Sequence, residues 1–386
     1  WQDTMIPTIN DLDVEGKRVL VRVDYNVTLD ESGEVLDDTR IKASLPTLQA
    51  LFGHGARQLV LMTHVGRPKG AAVEALKTDK VAVRLMKLLG KTVQKVDDCV
   101  DVELPDVPVV MLENLRFHKE EKDNEPSFSE KLAQNGEVYV NDAFATSHRE
   151  HASMVGVTKH LPGGIGLLVE KELKHLDFDN LEKPVVAVLG GAKLETKLPL
   201  IQRIIPKVDK VLLGGAMIFT FYKAKGFQTG SSLVDESQLT MAQMLANNEK
   251  ILLPSDVVVA SDEEHGSEAK TVLVQSIPAG MKGLDIGPES VEAFKQELSE
   301  AKTIVWNGPL GYVEKEPFDK ATKSIMNYLR TLTEDGAVTI VGGGDSIGYV
   351  EKLGMADKFS HVSTGGGASM QLLEGKPLPA LQALER

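Results

Sequence analysis

The stretch VVAVLGGAKLETK, residues 185–197, decides the fold class of this chain. An apolar run is followed by a glycine pair and then by a segment of helical character, which is the order of a buried strand that turns directly into a helix. Other short Val/Ile/Leu-rich runs alternate in the same way with helical stretches such as residues 77–90 and 290–301. This alternation predicts an α/β fold of repeated β-α-β units with buried parallel sheets.

The residues that end the apolar runs fall into two sets. The first set is rich in Arg, His, Asp and Asn: RVLVRVDYN (18–26), LVLMTHVGRP (59–68), VVMLENLRF (109–117) and VYVNDAF (138–144). The second set is rich in glycine: VVAVLGGAK (185–193), VLLGGAM (211–217), TIVWNGPLG (303–311), VTIVGGGDS (338–346) and HVSTGGGAS (361–369). Ligands bind beyond the carboxyl ends of parallel strands, so the sequence predicts two sheets, one presenting charged side chains and the other bare backbone amides.

Length and composition narrow the class of protein further. A chain of 386 residues predicts two domains, and the segment LPGGIGLLVEKELKHLDF (161–178), a Pro-Gly-Gly turn before a helix-like stretch, is the predicted boundary. The net charge of -13 argues against nucleic acid or an anionic membrane as a partner, because both attract a positive surface.

The single cysteine, Cys99, excludes a Cys-rich zinc site and suits the reducing cytoplasm. The sequence has no apolar run long enough to span a bilayer, and residues 1–13 lack the layout of a secretory signal.

The glycine-rich ends indicate a phosphate site. Lys193 and Lys197 lie four residues apart at the start of a predicted helix, where two cations oppose the helix dipole by about 0.3–1 kcal/mol each and repel one another. A bound polyphosphate reverses the sign of both effects. Asp345, beside the turn GGGDS, is a hard oxygen ligand suited to a magnesium ion that bridges phosphates. The alternative is a solvated helix with ordinary surface lysines.

Standard nucleotide signatures are missing from the sequence. The stretch LMKLLGKT (85–92) has Leu85 where the first glycine of a P-loop belongs, and it lies within a helical pattern. The absence of G-x-G-x-x-G argues against the alternative that the chain is a dinucleotide-dependent dehydrogenase. Binding of NADH would support that alternative. A non-catalytic nucleotide-binding scaffold is a third interpretation, and it predicts the loss of charged groups that this chain retains.

The charged ends predict a pocket for an anionic substrate. Arginine and histidine recur at or near the strand ends: Arg22, Arg40, His64, Arg67, Arg116, His148 and Arg149. The planar fork of arginine suits phosphate and carboxylate, although any single arginine is as readily a surface residue. HREH (148–151) lacks the spacing of a zinc site, which favours anion binding by Arg149. His151 either contacts the ligand or packs in the core.

Nine motifs in one order give the chain a resemblance to a known family. They are RVDYN, DDTRI, HVGRP, ENLRF, NDAFATSHREHAS, GGAKLETK, WNGPLGYVE, GGGDS and STGGGAS. On these motifs nearly the whole chain resembles the phosphoglycerate kinase family. The resemblance implies reversible phosphoryl transfer between 1,3-bisphosphoglycerate and ADP, giving 3-phosphoglycerate and ATP with Mg²⁺, in glycolysis and gluconeogenesis.

The resemblance also implies an architecture. It comprises two similar-sized Rossmann-like three-layer domains with parallel sheets, joined by a helical hinge. Residues 1–168 would bind phosphoglycerate, residues 169–370 would bind the nucleotide, and the tail 371–386 would return to the first domain. The expected form is a cytoplasmic monomer that binds neither nucleic acid nor membrane.

Site residues carried over by matching motif form three groups. Expected to bind phosphoglycerate are Asp24, Tyr25, Asn26, Arg40, His64, Val65, Gly66, Arg67, Arg116, His148 and Arg149. Expected to bind the nucleotide are Gly191, Lys197, Gly215, Glu314 (on the ribose), Gly343, Gly344, Asp345 (on the magnesium) and Ser346. Expected around the transferring group are Arg40, Lys193, Lys197, Gly366 and Gly367. Glu195, between the two lysines, departs from the usual pattern and either weakens nucleotide binding or faces solvent.

Overall fold

The structure, a computed structural model, describes residues 5–30, 32–363 and 365–385. The chain divides into two compact units, which are described separately below. The first comprises the chain up to Lys174 and again from Lys376, and the second comprises His175–Gly375. Thr364, within the glycine-rich segment 363–369, lies outside the described residues.

The first unit is built on one parallel sheet. Its strands are β1 (Arg18–Val23), β2 (Gln58–Met62), β3 (Val93–Lys95), β4 (Val109–Met111), β5 (Val138–Asp142) and β6 (Gly163–Ile165). They pair in the order β3-β4-β2-β1-β5-β6. The central strands are buried along nearly their whole length, as unbroken apolar runs require. The ends of β1, β2 and β5 therefore lie side by side, and these are three of the strands that end in charged residues.

Helices connect the strands of the first unit. They are α1 (Thr39–Gly53), α2 (Asp79–Leu89), α3 (Glu120–Asp123), α4 (Pro126–Ala133) and α5 (Leu167–His175). In α2 the buried residues Val81, Ala82 and Leu85 lie on one face, and Gly90 ends the helix in the left-handed conformation that glycine adopts without strain.

The boundary segment differs from its prediction. Gly163 and Gly164 form strand β6 instead of a turn, because the chain near Pro7 lies against them: Ile165 N–H donates to Pro7 O at 2.8 Å. A Cβ on Gly164 would lie 2.5 Å from Pro7 O, so only glycine fits there. The division between the units falls after Lys174, near the end of α5, six residues beyond the predicted boundary after residue 168.

The second unit contains two sheets. Its strands are β7 (Val185–Leu189), β8 (Lys210–Leu213), β9 (Ile251–Leu252), β10 (Asp256–Ala260), β11 (Lys270–Leu273), β12 (Lys282–Ile286), β13 (Thr303–Asn307), β14 (Val338–Gly342) and β15 (His361–Val362). A parallel sheet has the order β15-β14-β13-β7-β8-β9. The other, β11-β10-β12, is antiparallel and was not predicted. The glycine-rich ends all follow strands of the parallel sheet.

Helices alternate with these strands. They are α6 (Leu194–Ile204), α7 (Ile218–Ala224), α8 (Leu239–Ala246), α9 (Pro288–Ser299), α10 (Lys320–Glu334), α11 (Gly344–Lys352) and α12 (Gly367–Leu373). The helices α6, α11 and α12 each begin within a few residues of a glycine-rich strand end, as the opening sequence stretch predicts.

The tail packs on the first unit. It contains α13 (Pro379–Gln382), and Ala380 donates its N–H to Ser147 O at 3.2 Å and packs with Ala143 and Met154. Two α/β units with parallel sheets confirm the predicted fold class. The hinge stays a prediction. Among the described residues, every helix is too short or too polar to cross a membrane.

Candidate active site

A chain of buried hydrogen bonds in the first unit ends at His64, just beyond β2. The Ser153 hydroxyl donates to the Glu121 carboxylate at 2.5 Å, and the Ser153 oxygen accepts from Arg22 Nε at 2.9 Å. A second guanidinium nitrogen of Arg22 lies 2.9 Å from His64 Nδ1. Arginine can only donate, so Nδ1 is the acceptor and the neutral ring carries its proton on Nε2.

Electrostatics keep His64 neutral. Burial lowers the pKa of His64 well below its ordinary value, and the charges of Arg22 and Arg116 act in the same direction. The Nε2–H group is therefore a hydrogen-bond donor that suits the oxygen of an anionic ligand. Arg22 is fully buried, and the carboxylate of Glu121 favours its charged form. Arg22 thus orients His64 from inside the protein.

The residues after β1 make contacts with α1 and with the end of β2. The carboxylate of Asp24 forms an ion pair with Arg40, in the first turn of α1, and also accepts the N–H of Asn26 at 3.2 Å. The side-chain oxygen of Asn26 accepts the N–H of Gly66 at 2.8 Å. Arg40 remains 35% exposed, so part of its guanidinium is open to a ligand.

Tyr25 has its side chain in the core. Its hydroxyl lies 2.7 Å from Ser44 Oγ, and its N–H donates to Thr63 Oγ1 at 2.9 Å. The side chain is 0% exposed, and burial raises the pKa of the hydroxyl. Tyr25 therefore supports the segment between Asp24 and Asn26, and its side chain presents no group at the surface.

Asn114, absent from the predicted site residues, joins two of the quoted motifs. Its side-chain oxygen accepts the N–H groups of Val65 at 3.3 Å and Arg116 at 3.1 Å. Its amide nitrogen donates to Val65 O at 2.8 Å and to Leu76 O at 2.9 Å. Both backbone polar groups of the buried Val65 are thereby engaged inside the protein. The signal in the sequence was the amide within ENLRF itself.

Arg116 lies among other cations. It donates to Gly66 O at 3.0 Å, but its Nε is buried and has no hydrogen-bond partner in the described part of the chain. Burial lowers the pKa of Arg116 to about 10, with smaller contributions in the same direction from Arg22, Arg149 and Arg67. Gathered like charges and an unpaired buried N–H are unfavourable, and an anion removes both costs.

The HREH segment contributes two neutral histidines. Within the described residues, Nδ1 of His148 and Nδ1 of His151 are buried without hydrogen-bond partners. Burial lowers the pKa of both rings, to about 3 for His151, and nearby Arg149 adds to the effect. Neither histidine belongs to a three-residue group that could hold a metal ion, in the part of the chain that is described. Arg149 is exposed.

In the second unit, the turns after β7 and β8 depend on glycine. Gly215 has φ +72°, and a Cβ on it would lie 2.5 Å from the backbone nitrogen of Gly191. Met217 N–H donates to Gly191 O at 3.0 Å. Two turns approach each other so closely that side chains are excluded, which leaves bare backbone at the strand ends.

The two lysines of GGAKLETK differ in environment. Lys193 is the exposed residue before α6, whereas Lys197 donates a hydrogen bond to Asn307 at the end of β13. Burial lowers the pKa of Lys197 to about 8, although the carboxylates of Asp345 and Glu374 oppose the shift. Lys197 is thus a cation held in a partly desolvated position, which is costly unless an anion binds there.

Asn307 is a second amide that sequence reasoning missed. It is buried, its Nδ2 lies 3.0 Å from the sulfur of Met370, and a Cβ on Gly343 would lie 3.0 Å from its side-chain oxygen. It therefore connects Lys197 to the turn before α11 and to Met370 of α12. The Glu195 side chain is exposed, and it forms no ion pair with another described residue.

The turns before α11 and α12 contain the remaining predicted residues. Gly343, with φ +89°, precedes α11, whose first residue is Gly344. Gly366, with φ +49°, precedes α12, whose first residue is Gly367. Ser346 is buried, and its hydroxyl accepts Gly308 N–H at 2.7 Å, so this hydroxyl supports the neighbouring turn.

A cavity of about 450 Å³ lies beside these turns in the second unit. Four of the predicted nucleotide residues line it: Gly191, Gly215, Glu314 and Asp345. Its other walls include the apolar side chains of Phe219, Leu284 and Leu310. A largely apolar cavity with a few carboxylates and bare glycine backbone suits a planar base joined to a sugar and a phosphate.

The structure groups the predicted residues by unit. Those expected to bind phosphoglycerate lie in the first unit, mostly at or just beyond the ends of β1, β2, β4 and β5. Those expected to bind the nucleotide lie in the second unit, at the turns and the cavity just described. Their contacts with ligands stay predictions.

Comparisons with known proteins identify the family of the chain. The family described as phosphoglycerate kinase matches residues 9–376. Phosphoglycerate kinase of Gloeothece citriformis is 50% identical over 395 aligned residues, covering 98% of this chain and 98% of that protein. The chloroplastic phosphoglycerate kinase of Volvox carteri is 49% identical, covering 97% of this chain and 84% of that protein.

A solved structure of phosphoglycerate kinase from Coxiella burnetii has a TM-score of 0.90 and 34% identity, covering 98% of this chain and 99% of that one. The chain thus matches its relatives over nearly its full length, in sequence and in fold. It belongs to the phosphoglycerate kinase family and is a phosphotransferase of glycolysis that catalyses reversible phosphoryl transfer between 1,3-bisphosphoglycerate and ADP.

Proposed function

We propose that phosphoglycerate binds the first unit and that the nucleotide binds the second. The observation that carries the first half is Arg116, whose buried Nε has no partner within the described residues while other cations surround it. The proposed contacts for phosphoglycerate are Asp24, Asn26, Arg40, His64, Gly66, Arg67, Arg116, His148 and Arg149. Tyr25 and Val65 act by holding the backbone of this site, because their side chains are buried.

The nucleotide half rests on the cavity in the second unit. We place the base between its apolar walls and the ribose beside Glu314, with the phosphates toward Lys197 and the turns at Gly191, Gly215, Gly343 and Gly344. Because those turns carry no side chains, backbone N–H groups can approach phosphate oxygens closely. Ser346 supports the turn after β13, because its hydroxyl accepts the N–H of Gly308.

The chemistry requires positioning and charge neutralisation. The acceptor in the ATP-consuming direction is a carboxylate, which is ionised at neutral pH, so no general base is needed. Negative charge spreads over the equatorial oxygens of the transferring group, where Arg40, Lys193 and Lys197 and the N–H groups near Gly366 and Gly367 would stabilise it. A single such cation contributes a factor of about a thousand or more in rate.

Magnesium fits one carboxylate of the second unit. Asp345 is exposed in the first turn of α11 and lines the cavity. Mg²⁺ prefers oxygen ligands, keeps several waters and is commonly held by one or two carboxylates together with substrate phosphates. Asp345 would hold the ion, which when bound neutralises charge on the phosphates.

A coupled assay tests the proposed reaction. With ATP, 3-phosphoglycerate and Mg²⁺, the chain should form ADP and 1,3-bisphosphoglycerate, detected by reduction of the acyl phosphate in a coupled dehydrogenase step. Omission of either substrate should abolish the signal. A chain that forms no ADP with both substrates and Mg²⁺ present would contradict the assigned activity.

The hydrogen-bond chain to His64 yields a prediction for Ser153→Ala. The change leaves the buried Glu121 carboxylate and Arg22 Nε without their shared partner, a loss of about 1.5–3 kcal/mol for charged groups. His64 should lose its fixed orientation, so KM for 3-phosphoglycerate should rise roughly tenfold or more, while KM for ATP stays unchanged. Steady-state kinetics measure both constants.

Ser129→Ala is the matched control, because Ser129 is also a buried serine of this unit and, among the described residues, its hydroxyl donates to Glu125 O at 3.0 Å and to no charged group. It should leave both KM values unchanged. Equal changes in the two KM values for Ser153→Ala would contradict an orienting role, since general loss of structure predicts that result.

The lowered pKa of Lys197 predicts a pH dependence of nucleotide binding. Its pKa of about 8 means that the ammonium form predominates below pH 8 and is lost as the pH rises through that value. Because a polyphosphate favours the charged form, KM for ATP should rise above about pH 8, by up to about tenfold per pH unit. Kinetics between about pH 6.5 and about 9.5 measure it.

In Lys197→Met this rise should be absent, since the titrating group is gone. A wild-type KM for ATP that stays flat to about pH 9.5 would show that Lys197 does not bind the phosphates through its charge.

The proposed setting is a cytoplasmic monomer. The single, buried Cys99 suits a reducing compartment. Sedimentation velocity at micromolar concentration should show one species with the mass of a single chain. A stable dimer would contradict this proposal and leave the residue roles standing.

A further inference from the structure

Three metal-ligating side chains converge in the first unit, among residues that the proposed reaction does not use. Asp98 and Cys99 lie between β3 and β4, and His118 directly follows the 3₁₀ turn Leu115–Phe117. One ligand atom of each residue, the Cys99 sulfur, a His118 ring nitrogen and an Asp98 oxygen, lies within 4.8 Å of the other two. We propose that these residues form a binding site for a borderline divalent metal ion of the Zn²⁺ type, separate from the magnesium carried by the nucleotide.

The ligand types select the class of metal. Thiolate, imidazole and carboxylate together are a typical set for Zn²⁺, whereas Mg²⁺ and Ca²⁺ bind almost only oxygen. With metal-ligand distances of about 2.0–2.3 Å, tetrahedral coordination places the ligand atoms about 3.3–3.8 Å apart. The ligand atoms lie within 4.8 Å of one another, so the widest separation must contract by up to about 1.5 Å. His118 Nε2 and Asp98 Oδ1 are 2.7 Å apart, so these two atoms must instead separate by about 0.6 Å. Three protein ligands leave a fourth position for water.

The surroundings hold the three residues in place. His118 Nε2 lies 2.7 Å from Asp98 Oδ1, and the His118 ring packs on Phe128 with centroids 5.2 Å apart. The Cys99 N–H donates to Asp98 Oδ1 at 2.7 Å, and its carbonyl accepts from Asn135 Nδ2 at 2.9 Å. The ligands thus start close to a binding geometry, and little ordering is needed.

Access to the site is from one side. Cys99 is fully buried, whereas the side chains of Asp98 and His118 are 46% and 30% exposed. An ion can therefore reach the exposed pair first and then bind the thiol beneath it. Coordination replaces the thiol S–H bond with a sulfur-metal bond, and one proton passes to solvent for each ion bound.

Binding would join two connections of the first unit. His118 is two residues after Arg116, so a bound ion would tie the segment that carries Arg116 to the connection between β3 and β4. The bound ion would be a cross-link that forms only in the folded protein. Because it binds the folded state and not the unfolded state, it stabilises the fold by mass action.

Cobalt absorption tests the proposal. Tag-free protein is stripped with a chelator and titrated with Co²⁺ in the presence of excess Mg²⁺, which keeps the nucleotide site occupied. We expect one equivalent to produce a near-ultraviolet thiolate-to-cobalt charge-transfer band, and one equivalent of Zn²⁺ to remove it. Absence of both the band and Zn²⁺ binding in the wild type overturns the proposal.

Variants assign the ligands. Cys99→Ser should abolish the band, and His118→Asn and Asp98→Asn should each weaken Zn²⁺ binding by at least about tenfold. The latter two positions are partly exposed, so these variants keep the test informative if Cys99→Ser fails to fold.

His265→Asn is the matched control. The Nδ1 atom of His265 lies 2.6 Å from Asp262 Oδ1 in an exposed pair without a thiol, so this change should leave the cobalt band and Zn²⁺ affinity unchanged. Unchanged affinity in both His118→Asn and Asp98→Asn would reduce the site to a bare thiol and overturn the proposal.

Discussion

Replacing Arg40 with alanine should lower kcat by at least about a hundredfold, with a smaller change in KM for ATP. Arg40 is held by Asp24 in the first turn of α1 and remains partly exposed, so it can reach an anion without losing its anchor. A cation that contacts charge developing on the transferring oxygens acts mainly in the transition state, and its loss therefore appears in kcat. Steady-state kinetics in the ATP-consuming direction measure the effect.

Arg57→Ala is the matched control. Arg57 belongs to the same unit, lies at the opposite end of β2 and is 61% exposed, with a long 3.9 Å contact to Glu137. Its removal should leave kcat unchanged. If Arg40→Ala retains near-normal kcat, Arg40 does not stabilise the transferring group.

Replacing Lys197 with methionine should lower kcat/KM for ATP by about a thousandfold. Methionine keeps an apolar stem and removes the charge that Asn307 orients in the second unit. Burial lowers the pKa of Lys197 to about 8 because the charged ammonium is less stable there than in water. The stability of the fold alone therefore does not favour a lysine at this position. Melting temperature measured beside the kinetics should therefore be unchanged or higher.

Lys223→Met supplies the comparison, since Lys223 is an exposed lysine of α7 in the same unit. It should retain full kcat/KM. A Lys197→Met enzyme with normal kcat/KM, or one that loses activity only because it unfolds, would remove Lys197 from the proposed mechanism.

Much of the fold could be predicted because buried parallel strands are unbroken apolar runs. Residues 185–189, for example, form β7 as the opening stretch indicates. The antiparallel sheet was missed because its edge strand, Lys270–Leu273, is mostly exposed and too polar to resemble a core strand. Strand β6 was read as a turn because glycine marks turns in sequence, whereas here it allows the close approach of Pro7.

Candidate site residues could be predicted where the sequence places a charged side chain in an unusual position. They could not be predicted where a buried side chain only orients another residue of the site. Arg116 and Lys197 could be predicted as ligand contacts because an arginine after a buried strand and a lysine in the first turn of a helix are unusual places for a positive charge. Asn114 and Asn307 were missed because a single amide in sequence does not show which backbone groups it joins. The same holds for Glu121 and Ser153, which reach Arg22 only through tertiary packing.

Hydrogen-deuterium exchange with each ligand alone tests the central claim most directly, namely that the two ligands use separate units. We expect 3-phosphoglycerate to slow exchange in residues 24–26, 64–67 and 147–151, and Mg²⁺-ADP to slow exchange in residues 190–197, 214–218 and 343–346. Each ligand should leave the segments of the other unit unchanged. Protection of the same segments by both ligands, or of the second unit by 3-phosphoglycerate alone, would contradict the account.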